Sequence, residues 1–368
     1  MRHLRLDKRE AFSRMLAESS SIDTKTSMGA TMKGFCFGML ILVLGDSIAR
    51  AQWQQQTIDT TADFRGLCTV SPKIAWVSGT KGTFGRTTDG GKTWSAGTVP
   101  ETDKLDFRDV KAFGESTAFL LSAGPGDDSR IYKTTDGGKA WALQFKNNNR
   151  EAFFDALAFW DEKNGIALSD PVKGQFLLIV TDDGGANWKP LAARNLPPAL
   201  PNEGAFAASG TCLATYGKND VWFATGGAKI ARVFHSRDRG QNWTVSETPL
   251  MAGVESAGIF SIAFHDHSNG MIVGGDYRKP NETGVTAAIT SDGGKTWTAI
   301  GKPFPFRSCV AWAKDQWVVV GTSGSNSSRD NGATWNVLDG ENYNTVGFTS
   351  TGEGWAAGPK GRIAKFAK

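Results

Sequence analysis

Cysteine, tyrosine and histidine each occur only four times in the 368 residues. One cysteine, Cys36, falls in an apolar N-terminal run, which leaves Cys68, Cys212 and Cys309 far apart and odd in number. That spacing implies no disulfide framework, and without a C-x-x-C pair there is no zinc knuckle or thioredoxin motif. Three buried small apolar side chains are the expectation. With so few histidines a Ser-His-Asp triad has little material. His265-Asp266-His267, the one close pair, reads as a solvated turn with no third ligand nearby, so no metal is expected. Neither G-x-x-x-x-G-K-[ST] nor a strand-G-x-G-x-x-G-helix unit occurs, which excludes the common nucleotide loops, and no cofactor is expected. After residue 52 there is no helix-period segment of useful length.

An excess of one charge is also missing. The formal charge is +4, but eight Lys or Arg and five Asp or Glu fall in the first 51 residues. The remainder carries 33 basic and 32 acidic side chains, so nothing favours a nucleic-acid partner.

The N-terminus has the pattern of an export signal. Lys33 precedes the apolar run from Phe35 to Leu44, and Ala49-Arg50-Ala51 follows just before Gln52. A positive start, an apolar stretch too short to span a bilayer and an A-x-A end predict a secretory signal over 32–51. Cleavage near Ala51 would deliver residues 52–368 to the periplasm or the exterior, with no stable membrane insertion afterwards. Residues 1–31 are read as an upstream extension, from a start assigned too early or a disordered segment.

Tryptophan, by contrast, occurs 13 times and glycine 44 times, and a repeat accounts for much of both. Six segments obey S/T-x-D-x-G-x-x-W. Their aspartates and tryptophans are Asp89 and Trp94, Asp136 and Trp141, Asp183 and Trp188, Asp238 and Trp243, Asp292 and Trp297, and Asp330 and Trp335. Successive tryptophans lie 47, 47, 55, 54 and 38 residues apart, the period of a propeller blade. In each copy the Ser or Thr ends a strand and the Asp carboxylate turns onto backbone N–H groups. The Gly takes a positive φ, and the Trp packs between adjacent sheets.

Three short strand-like stretches precede each turn, and seven innermost strands are counted against six turns. The seventh unit lacks an outer strand, and Trp53–Ile58 supplies it. The fold expected is all-β: a seven-bladed propeller of four-stranded antiparallel blades, closed by the N-terminal strand joining the last blade.

Repeat superposition puts Arg65, Arg108 and Arg307 at one position of the innermost strand, near the channel mouth. Asp170 and Asp276 end second strands, Tyr277 follows, and Glu203 lies in an entry to blade 4 that departs from the other repeats. These seven residues are expected to converge on the face opposite the turns, as a binding surface for a protein or a small ligand such as a glycan.

The six turns resemble the Asp-box, or BNR, repeat. Together with strands beginning Phe64-Arg65, Phe107-Arg108 and Phe306-Arg307 and the stretches Trp76–Gly79 and Trp355–Gly358, they resemble the photosystem II stability/assembly factor propellers over residues 53–368. The resemblance implies that the turn aspartates are structural. It also implies an exported, non-enzymatic monomer that binds a partner as an assembly factor does. The alternative is a glycoside hydrolase or sialidase-like enzyme using Asp170 with Glu203 or Asp276. Against the sialidase form, the chain has no Arg-Ile-Pro, and only Tyr277 is a tyrosine on the expected face.

Overall fold

The computed structural model describes residues 52–301 and 304–367, and the expected signal and upstream extension lie outside them. Among the described residues there are seven sheets, each of four antiparallel strands in simple meander order. Their first strands are Phe64–Thr69, Phe107–Ala112, Phe154–Phe159, Leu213–Tyr216, Ala257–Phe264, Cys309–Trp312 and Thr345–Phe348. These seven touch one another in a closed cycle, so they form the inner ring of a propeller. Called A to D from the inside out, the strands of a blade put the A–B and C–D turns on one face and the B–C and D–A loops on the other.

The ring closes as expected. Trp53–Gln56 pairs antiparallel with Ile363–Phe366 as the outer strand of blade 7, in the register Trp53 to Phe366 and Gln56 to Ile363. Side chains lock the closure. Trp53 Nε1 donates to Ser325 Oγ of blade 6 at 2.9 Å, and Gln55 Nε2 donates to Tyr343 Oη at 2.8 Å. Gln56 Oε1 accepts from the indoles of both Trp94 and Trp355, at 2.8 and 3.0 Å. One amide oxygen thereby ties the first blade to the last.

The six C–D turns are built alike. In the first, Thr87 Oγ1 donates to Asp89 Oδ1 at 3.0 Å and accepts from Gly91 N at 2.9 Å. Asp89 Oδ1 takes Thr93 N at 3.0 Å, and its second oxygen takes the Thr93 hydroxyl at 2.6 Å. The fifth residue of each turn is a glycine with φ between 82° and 88°. At the fourth, Arg239 and Asn331 adopt φ of 57° and 54° where the other copies have glycine. The carboxylates are consumed by their own turns.

Each turn tryptophan packs, as expected, in an apolar cluster shared by two adjacent blades, but most do so at shallow depth. Of the six turn indoles, Trp94, Trp141, Trp188 and Trp335 are only half-buried. The most deeply buried indoles belong instead to B strands: Trp76, Trp222, Trp317 and Trp355, none more than 1% exposed. Two of them reach into the next blade, where Trp76 Nε1 donates to Gly114 O and Trp222 Nε1 to Gly293 O. A B-strand side chain lies mid-sheet with a blade on either side, whereas a turn side chain has solvent below it. The tryptophan excess therefore has two structural causes.

Candidate functional site

The seven candidate residues do lie at the loop-face ends of their strands, but they do not form one open pocket. In blades 1, 2, 3 and 5 the A–B register skips a residue, at Arg65, Arg108, Asp155 and Phe260. Such a bulge re-aims the skipped side chain. It brings Arg65 and Arg108 to a single carboxylate: Asp106 Oδ2 lies 2.8 Å from Arg108 Nε and 3.7 Å from Arg65 Nε. Arg65 is 1% exposed. Burial, and next the nearby Arg108 charge, lower its pKa to about 10, against Asp106 and Asp63, so it remains cationic at neutral pH. Asp106 was missed in the sequence, although Asp-Phe-Arg occurs there twice, at 63–65 and 106–108.

Arg307 does not join this pair. Phe64, Ile259 and Tyr343 each donate their backbone N–H to the carbonyl ending the previous blade's B strand, on Gly358, Thr225 and Gly321. Arg307 makes the same bond, to Gly274 O at 3.1 Å. It therefore occupies the position of Phe64, and Ser308 occupies that of Arg65. A one-residue offset in a strand turns the side chain to the opposite side. Arg307 runs between blades 5 and 6, where its guanidinium donates to Phe306 O, Ser323 Oγ and Asn326 Oδ1 at 3.0, 3.2 and 2.6 Å. Matching the repeats on their Phe-Arg pairs placed it one residue out of register.

The departure at the entry to blade 4 has a clear structural result. Residues 203–210 are all buried, and together they touch five blades. Gly204 pairs with Gly226 of blade 4. Ala205 N donates to Asp170 Oδ1 of blade 3 at 2.9 Å, and Ala207 O accepts from Arg108 Nη1 of blade 2 at 3.0 Å. The Phe206 ring stacks on Phe260 of blade 5, with centroids 4.0 Å apart and planes 10° apart. Ser209 Oγ donates to Ser308 O of blade 6 at 3.0 Å. Gly210 has φ +70°, and a Cβ there would overlap the Asp109 carboxylate, so only glycine fits. The chain itself crosses and plugs the mouth of the channel, where the candidates were expected to converge as a binding surface.

This plug accounts for most of the remaining candidates. Glu203 anchors its start, accepting from Arg232 Nε at 2.8 Å, Thr225 Oγ1 at 2.7 Å and Leu200 N at 2.7 Å, with a further bond from Arg232 Nη2. Asp276 accepts from Arg278 N at 2.9 Å and shapes its own loop. The Tyr277 ring meets Phe206 and Phe260 edge-on, and burial raises its hydroxyl pKa. Asp170, Glu203 and Asp276 each satisfy backbone amides or an arginine of the fold. Phe206, Phe260 and Arg232 escaped the sequence reading because their importance comes from one irregular loop.

The same face has apolar residues in solvent. Val254, before the A strand of blade 5, is 52% exposed, and Val285, between its B and C strands, is 38% exposed. Their loops are joined by Met251 N to Val285 O at 2.8 Å. A hollow of about 540 Å³ lies elsewhere, on the edge of blade 2, lined by polar groups that include Asp127, Lys146, Asn148 and Arg150. On the opposite face Asp220 holds two imidazoles, His235 Nε2 and His267 Nδ1, each at 2.8 Å. His267 is thus engaged with the neighbouring blade. Among the described residues no group of three or more His, Cys, Asp or Glu is placed to hold a metal ion.

Fold and site together define a seven-bladed propeller with a plugged channel and a loop-rich face. The family described as photosynthesis system II assembly factor YCF48 matches residues 46–142. Among solved structures, one described as YCF48 bound to D1 peptide is 16% identical, covering 86% of this chain and 97% of that one, with a TM-score of 0.62. YCF48 from Cyanidioschyzon merolae is 19% identical over 86% and 99%, with a TM-score of 0.60. A streptogramin B lyase is 14% identical over 85% and 96%, with a TM-score of 0.59. Identities this low speak for the shared fold alone. Curated proteins yield no match. The chain resembles the photosystem II assembly factor type of propeller.

Proposed function

We propose that this protein is an exported, non-catalytic scaffold, assembly-factor-like, that binds a protein segment across its loop face. The observation that carries the reading is the plug. Residues 203–210 fill the position at which a small substrate would enter the channel, and they engage Arg108 and Asp170 from within. What remains for a partner is a surface: the rim around the plug, with exposed Val254, Val285 and Arg278. A surface with exposed valines and an arginine, and no cleft among its described residues, suits a polypeptide better than a glycan. The YCF48 structure with a D1 peptide supports peptide binding as the mode for this type of propeller. Export is proposed on the apolar run and the A-x-A end before Gln52.

A photo-crosslinking residue placed at Val254, Val285 or Arg278 is expected to capture one shared partner from the exported fraction. The same residue at Lys92 or Lys139, on the opposite turns, is expected to capture none of it. Equal capture from both sets, or from the turns alone, would refute the choice of face. N-terminal sequencing of the exported protein is expected to begin at Gln52, and a mature chain that keeps Lys33 would contradict export by this signal.

A further inference from the structure

Three arginines are buried among the described residues: Arg65, Arg232 and Arg307. Two have a carboxylate. Arg65 has Asp106, and Arg232 has Glu203. Arg307 is 3% exposed and its acceptors are all neutral: a backbone carbonyl, a serine hydroxyl and an asparagine amide. Its Nε–H is buried with no hydrogen-bond partner, and Thr322 Oγ1, next in sequence to Ser323, is in the same condition. One side of the guanidinium meets the Phe304 ring, 5.5 Å from the centroid. That ring belongs to an apolar cluster with Val273 and Ala287 of blade 5 and with Val310, Trp317 and Val319 of blade 6.

The side chain stays charged in this setting. Burial lowers the Arg307 pKa to about 10, still far above neutrality. A buried charge without a counter-charge is strongly unfavourable, and a water on Nε would satisfy the hydrogen bond while leaving the charge uncompensated. We infer that Arg307 holds a small monovalent inorganic anion, of the halide class, in the seam between blades 5 and 6. A single spare N–H among apolar side chains suits a polarizable, weakly hydrated ion. A phosphate or sulfate needs several donors and has few here. Guanidinium, itself weakly hydrated, is the side chain suited to such a pairing. Phe304 is bridged to Gly284, the neighbour of Val285, so the site adjoins the proposed partner rim.

The test compares unfolding of the purified protein in sodium chloride and in sodium gluconate at equal ionic strength. Chloride is expected to stabilise without a plateau, rising with the logarithm of its concentration once the site is mostly occupied. Beyond half-saturation, each tenfold rise in chloride should increase the folded-to-unfolded ratio roughly tenfold, with gluconate inert. In Arg307→Met the two salts should give the same curve. Crystals grown in sodium bromide are expected to show an anomalous peak within hydrogen-bonding reach of Arg307 Nε. Identical chloride and gluconate curves for the wild type, a chloride effect that survives in Arg307→Met, or no bromide peak at Nε would each overturn the inference. If Arg307→Met does not fold, the bromide position in the wild type decides the matter alone.

Discussion

The two faces of the wheel obey different rules. On the turn face six loops repeat one hydrogen-bond pattern, and each carboxylate is spent within a few residues of its own backbone, as Asp89 is on Thr87 and Thr93. On the loop face a B–C turn recurs in blades 1 and 7, with Lys81-Gly82 and Lys360-Gly361 both at positive φ, but the decisive contacts are long-range: Arg108 to Ala207, Glu203 to Arg232, Ser209 to Ser308. Local, repeated polar contacts hold the blades' hairpins, whereas non-local ones close the channel and shape the surface offered to a partner. Regularity marks the scaffold. Irregularity marks where the chain departs from the blade repeat to close the channel.

Removing one charge from each face should separate them most sharply. Glu203→Ala leaves Arg232 buried without its partner and should cost about 3–5 kcal/mol in urea unfolding. Arg329→Ala breaks an exposed pair with Asp315 on the turn side and should cost less than about 1 kcal/mol. Equal losses would erase the distinction between the faces. Tryptophans give a smaller contrast. Trp222→Ala, from a fully buried B-strand site, should cost about 3–5 kcal/mol. Trp94→Ala, from a half-buried turn site, should cost about 2–3 kcal/mol on the smaller area buried.

Acid should sharpen the comparison least, and it should act on the turn face. Hydrogen bonds from the side chains of Thr93, Asn187 and Thr334, together with the same residues' backbone amides, hold Asp89, Asp183 and Asp330 at a pKa of about 2. In an unfolded chain an aspartate titrates near 3.9. Below that value the unfolded state binds more protons, so the contribution of these turns is complete above about pH 5 and declines as the pH falls toward 2. Thermal midpoints followed from pH 5 to 2 should drop in the wild type. They should drop less steeply in Asp89→Asn, which starts lower and has one fewer such group to lose.

Much of the architecture was legible because it repeats. Six copies of S/T-x-D-x-G-x-x-W and seven inner strands led to the blade count, and the leftover Trp53–Gln56 segment to the closure. The site was less legible, and the reasons are specific. Arg307 was aligned on its Phe-Arg pair, but strand register is set by backbone bonds that a motif does not reveal, and one residue turned it away from Arg65 and Arg108. Glu203 was read in the entry to blade 4 and Asp170 at the end of a second strand, but their partners, Arg232 and Ala205, depend on how a single unrepeated segment folds across the ring. The tryptophan count pointed to the turns, while the deeper burial of Trp76, Trp222, Trp317 and Trp355 follows from stacking between blades.

By itself the amino-acid sequence determined the blade, because each hairpin turn closes within eight residues and the information for it is local. It also determined how many blades there are, since each needs its own turn or a substitute. Only the tertiary structure decided that the channel is plugged, that Arg65 and Arg108 share Asp106, and that Arg307 lies in an apolar seam. Those contacts join residues far apart in the chain, and their distances exist only once seven sheets have closed into a ring.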